Sequence, residues 1–182
     1  MIHHLVITAV GSDRPGICNR LTQVVTHSGG NIVDSRIALF GKEFTLIMLV
    51  SGETNAITRI ETLLPSMSAE HDLMVVMKRT APHQPPQYTY RVECTINSED
   101  RMGLTEAFTQ FFSNHQINIS ELSAQTQKAA TNQHNEHTDQ FHIFISGLTE
   151  LDIDTDKLKQ AFERLCQTLS VIGDLQIHAK VD

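Results

Sequence analysis

Two periods organise the hydrophobic positions of this chain, and they alternate in the same order twice. In the second half, Tyr88, Tyr90, Val92, Cys94 and Ile96 interleave with Thr89, Arg91, Glu93, Thr95 and Asn97. A period of two marks a strand with one buried face. Leu104, Phe108, Phe111 and Phe112 follow at the spacing of one helix face. A strand over about 117–127 comes next, then a polar stretch, then a strand opened by Phe141, Ile143 and Ile145. Leu158, Phe162, Leu165 and Leu169 mark a second helix, with Asp154 and Asp156 where a helix N-terminus favours negative charge. Leu175, Ile177, Ala179 and Val181 then alternate with Gln176, His178, Lys180 and Asp182 in a last strand.

The first half runs through the same order: strand 2–10, helix 15–28, strand 31–40, strand 43–51, helix 54–66, strand 71–79. This pattern, stated twice, predicts an α+β chain of two tandem ferredoxin-like βαββαβ domains. Each is an antiparallel sheet with helices on one face and the other face open. The halves also match residue by residue. Asp13-Arg14-Pro15-Gly16-Ile17 returns 87 positions later as Asp100-Arg101-Met102-Gly103-Leu104. The same offset carries Leu21, Val24 and Val25 onto Phe108, Phe111 and Phe112, and Asn31-Ile32 onto Asn118-Ile119. Repeats this long are domains, since solenoid units are shorter and more numerous. The first domain spans 1–79 and the second 88–182. Between them 80–87 holds three of the five prolines and reads as a stiff linker.

The predicted open faces differ. The second carries Glu93, Thr95, His142, Gln176 and His178. The first carries Val6, Thr8, Ile47, Leu49, Met74 and Val76, too apolar for a solvated face. That face is expected to pack on its sister domain or on another subunit, so a homo-oligomer is one expectation.

Charge changes the picture further. Residues 1–80 hold 7 Lys and Arg against 7 Asp and Glu, while 81–182 hold 7 against 14 and supply the whole net charge of −7. No basic cluster is present to hold a phosphate backbone, so direct nucleic-acid binding is not expected. No apolar run is long enough to span a membrane, and the N-terminus lacks a signal-peptide layout. Cys18, Cys94 and Cys166 are far apart and odd in number, as in a cytoplasmic protein with reduced thiols. Other tenants of the fold need residues that are missing. A metal chaperone needs a Cys-x-x-Cys in the first turn. An RNA module needs stacking aromatics on the open face, and Tyr88 and Tyr90 are placed on the core face instead. The insertion near 128–138 reads as a polar hairpin loop. His134, His137 and Asp139 within or beside it are a weak metal constellation, so no metal site, cofactor or catalytic group is assigned.

The repeated turn holds the candidate chemistry. Gly16 permits a tight turn, and Pro15 suits a first helical turn. The free N–H groups of that turn attract a carboxylate, while Asp13 or Asn31 accepts hydrogen bonds from an ammonium. The set suits a small zwitterion such as an amino acid. Equally, it is what a well-capped turn looks like.

The doubled fold, the Asp-Arg-Pro-Gly-Ile turn and Gly29-Gly30-Asn31-Ile32 resemble ACT domains, small amino-acid-sensing modules. Two in tandem over the whole chain resemble the glycine cleavage system transcriptional repressor family. The resemblance implies a regulator without a DNA reader. It would act on a separate DNA-binding transcriptional activator, in a complex that glycine weakens. It also implies ligand-binding residues Asp13, Arg14, Pro15, Gly16, Ile17 and Asn31. A weaker second site would comprise Asp100, Arg101, Gly103, Leu104 and Asn118. That echo loses Pro at Met102 and the glycine pair at Gln116-Ile117. An amino-acid-binding or interaction module that regulates a metabolic enzyme is the alternative reading.

Overall fold

A computed structural model of the protein describes residues 1–82, 86–127 and 139–180. The chain divides into two compact units, Met1–Gln84 and Pro85–Asp182. The first comprises β1 (Ile2–Ser12), α1 (Ile17–His27), β2 (Asn31–Phe40), β3 (Glu43–Glu53), α2 (Thr54–Glu70) and β4 (Leu73–Thr80). The second comprises β5 (Tyr90–Glu99), α3 (Leu104–Asn114), β6 (Asn118–Gln127), β7 (Gln140–Thr149), α4 (Thr155–Leu169) and β8 (Ile172–Ala179). The sheet orders are β2-β3-β1-β4 and β6-β7-β5-β8, antiparallel at every pairing. The two-domain α+β expectation therefore holds. The insertion at 128–138, with its His134 and His137, lies outside the described residues, as do Val181 and Asp182.

Alternation in the strands and a single stripe on each helix build the two cores. Leu5, Ile7, Ala9, Phe44, Leu46, Met48 and Val50 meet Leu21, Val25, Ile57, Ile60 and Leu64. In the second unit the same positions are more aromatic. Phe162 lies 5.8 Å from Phe108 and 5.7 Å from Phe111 between ring centroids, and His115 stacks on Phe111 at 4.4 Å. Aligning the buried stripes Ile60, Leu64, Ser68 and Leu158, Phe162, Cys166 sets α2 and α4 in register.

Several boundaries moved for visible reasons. The α2 helix runs past the predicted end at 66 to Glu70, because Leu64 and Ser68 continue its buried stripe through Pro65. Gly30 sits where an added Cβ would lie 2.9 Å from Ile60 Cδ1 and 3.1 Å from Val25. The second unit keeps the left-handed turn without glycine: Gln116 takes φ 56° and Ile117 enters the core.

The open faces follow the register. On the second, Glu93 Oε1 accepts from Ser146 Oγ at 3.2 Å, with Arg91 at 4.0 Å and His178 at 3.9 Å from its carboxylate. Tyr88 corrects its assignment. It lies before β5, and its ring centroid is 5.6 Å from both the Arg91 guanidinium and the Lys180 ammonium, groups of the open side. Tyr90 does point to the helix side, with its hydroxyl 3.3 Å from Asp152 Oδ1. On the first open face, Ile47, Met74 and Val76 are 47%, 71% and 60% exposed.

Candidate functional site

β1 ends where the Asp13 N–H donates to the Lys42 carbonyl at 3.0 Å, beside the β2–β3 turn. The chain then reverses tightly, with the Ile17 N–H bonded to the Arg14 carbonyl at 3.2 Å. Gly16 is the N-cap of α1 at φ 90°, ψ −6°, and Gly103 is the N-cap of α3 at φ 87°, ψ −7°. Neither cap has a side-chain hydrogen bond to the turn it precedes. Nothing lies within 4 Å of a Cβ built on either glycine. Glycine is therefore demanded by the backbone angle and not by crowding. The Ile17 N–H is already used by the Arg14 carbonyl and the Arg20 N–H by the Gly16 carbonyl, which leaves the N–H groups of Cys18 and Asn19 without an intrahelical partner at this end of α1. Pro15 is not in the helix as expected. It lies before the N-cap, because Gly16 must turn left-handed first.

The other candidates divide by what they touch. Ile17 and Leu104 are 6% and 3% exposed and anchor the turns in the cores. The Arg14 guanidinium is engaged with the His71 carbonyl at 2.5 Å, and Arg101 makes the matching bond to the Leu169 carbonyl. Asp13 is exposed, and among the described residues its carboxylate has no hydrogen bond or ion pair. Asp100 instead accepts from Thr126 Oγ1 at 3.0 Å. The first turn of α1 holds no acidic residue, whereas that of α3 holds Glu106. With no acid in its first turn, α1 offers the better anion site, and the unengaged Asp13 carboxylate is the better acceptor for an ammonium.

Asn31 is not brought to this turn. Ser12 pairs with Glu43 and Asn31 with Ser51, so the two lie at opposite ends of the sheet. Eight steps along β3 separate those pairs, roughly 27 Å at strand rise. Asn118 stands apart from Asp100 in the same way, opposite Leu148 while Glu99 pairs with Gln140. No small molecule touches both members of either pair within one domain.

Sequence reading missed a cavity of about 460 Å³ beside the second motif, lined by Asn97, Ser98, Arg101, Ser170 and Ile172 among others. Its walls come from three separated segments, which no local pattern joins.

Comparison with known proteins settles the family. The ACT domain family matches residues 3–78. The glycine cleavage system transcriptional repressor of Escherichia coli (strain K12) is 45% identical over 175 residues, covering 96% of this chain and 90% of that one. The chain belongs to the glycine cleavage system transcriptional repressor family. A crystal structure assigned to a protein of that name shares 48% identity and covers 99% of both chains with a TM-score of 0.70. An uncharacterised protein from Galdieria sulphuraria, at 22% identity and a TM-score of 0.76, shares the fold. These family relatives are transcriptional repressors by name. Among the described residues no helix is long and apolar enough to cross a membrane.

Proposed function

We propose that this chain is an amino-acid-responsive repressor that works in the cytoplasm by protein contact. Its partner is a DNA-binding transcriptional activator of the glycine cleavage genes, and glycine relieves the repression. The observation that carries this reading is the turn Asp13–Ile17. It combines an uncapped helix N-terminus, no acid in the first turn and an Asp13 carboxylate unpaired among the described residues. The N–H groups take the carboxylate of a small amino acid, and Asp13 takes its ammonium. Arg14 shapes the turn from behind, and Ile17 holds it to the core. Asn31 joins this ligand only if a second chain supplies it. The echo at Asp100, Arg101, Gly103, Leu104 and Asn118 binds more weakly, with Asp100 engaged and Glu106 opposing an anion.

Relief requires that glycine bind the free repressor more tightly than the complex, since a ligand shifts an equilibrium only by its differential affinity. A thermal-shift titration with each amino acid tests the reading. Glycine at ~100 times its dissociation constant adds about 2.7 kcal/mol. A shift with glycine that Gly16→Val removes supports the site; no shift with any amino acid refutes it.

A further inference from the structure

The two repeats also differ on their helical surface. In the first, Arg20, Val24 and His27 form one stripe on α1, at i, i+4 and i+7. Arg59, Leu63 and Met67 form a facing stripe on α2, at i, i+4 and i+8. They line a groove of about 420 Å³. Its floor is apolar: Val24 and Met67 are half-buried and Leu63 is 51% exposed. Its rim is cationic. No carboxylate lines it, and α1 carries no acidic residue anywhere along its length.

The second repeat closes the same place. Val24 is replaced by Phe111, 6% exposed, whose ring packs on Phe162 and under His115. Arg20 and His27 become Ala107 and Asn114, and Leu63 becomes Ala161. One sequence thus holds a filled and an unfilled version of one helix pair. The core does not require the opening, because the repeat that fills it folds the same way.

We propose that this groove docks a short acidic amphipathic helix of the partner protein. Its apolar residues sit on Val24, Leu63 and Met67, and its carboxylates meet Arg20 and Arg59. Two antiparallel helices with an apolar floor accept such a helix through i, i+3/i+4, i+7 anchors, and the uniform sign of the rim selects its charge. The assignment rests on the reading that the chain acts by contact with an activator.

The test titrates the full-length chain with the purified activator of the glycine cleavage genes, followed by fluorescence anisotropy. The Arg20→Glu/Arg59→Glu double variant changes two exposed side chains. It is expected to weaken binding about tenfold or more, mostly through slower association, with the difference shrinking as salt rises. Val24→Phe, which copies the second repeat, is expected to weaken binding without lowering thermal stability. Lys159→Glu/Arg164→Glu on α4 is the matched control and is expected to bind as wild type. Wild-type affinity in both groove variants overturns the assignment. Unchanged activator binding with a loss of self-association in light scattering gives the groove to a second copy of this chain and overturns it too. No binding by the wild-type chain overturns the activator reading itself, and this docking site with it.

Discussion

The Arg14 guanidinium donates to the backbone carbonyl of His71 at 2.5 Å, tying the turn before α1 to the C-terminal end of α2. Arg101 does the same to Leu169, which occupies the matching position at the end of α4. A cation at a helix C-terminus satisfies a carbonyl that has no intrahelical donor and lies favourably in the helix dipole. The repeated Arg is thus a structural tie in both domains. Arg14→Ala is expected to lower unfolding free energy by about 1 kcal/mol without any ligand present, and Arg101→Ala by a similar amount. The ties lie in separate units, so the double variant sums the two losses. Urea denaturation of ligand-free protein checks this; unchanged stability in both variants would return the arginines to a ligand role.

Gly16 fails differently from an ordinary helix glycine. With φ at 90° and open space around its Cβ position, substitution meets strain but no clash. Gly16→Ala is expected to cost about 1–2 kcal/mol and Gly16→Asn less, because Asn tolerates left-handed angles better. An equal cost for Ala and Asn in denaturant melts would contradict the strain account.

Much of this architecture was legible because both halves spell it. Alternation gave the strands, and the doubled turn marked where each first strand meets its helix. The sequence pattern misplaced Pro15 because proline usually begins helices, and here the left-handed Gly16 intervenes. It misplaced Tyr88 by extending the strand's alternation beyond Tyr90, where the ladder begins. Placing Asn31 beside Asp13 within one domain went beyond the pattern for a deeper reason. Repetition shows that Asp13 and Asn31 are both retained, but says nothing of their separation, which β3 sets by running between them. The groove at Val24 and Leu63 left no local motif, and emerges only when equivalent positions of the two repeats are compared in space.

Burial in the second core pushes the Cys94 thiol up to about 12 and also raises Cys166, with neighbouring Glu163 adding to the latter. Both thiols therefore stay protonated at neutral pH in the folded chain. Above pH ~9 the unfolded chain gives up these protons while the folded one keeps them, so stability falls with rising pH. The contribution from Cys94 is complete below the unfolded value and is lost progressively towards pH 12. The slope it adds is about 1.4 kcal/mol per pH unit. Stability curves from pH 8 upward are expected to be shallower for Cys94→Ala than for the wild type. At neutral pH a thiol reagent should modify half-exposed Cys18 first, leaving Cys94 and Cys166 protected until unfolding.

The two glycine caps share backbone angles to within a few degrees, so a difference in ligand affinity is sought in the residues around them. At the second turn Glu106 places a negative charge among the N–H groups that would meet a carboxylate, and Thr126 already engages Asp100. At the first turn neither obstacle exists. Gly16→Val is therefore expected to abolish the glycine-induced thermal shift, while Gly103→Val lowers baseline stability by a similar amount and leaves the shift in place. Glu106→Gln removes the opposing charge and should raise the second turn's affinity by about 0.3–1 kcal/mol, the range of one charge at a helix end. Isothermal titration of Gly16→Val/Glu106→Gln isolates that turn. If Gly103→Val removes the glycine response while Gly16→Val keeps it, the second motif and its adjoining cavity are the sensor, and the charge argument fails.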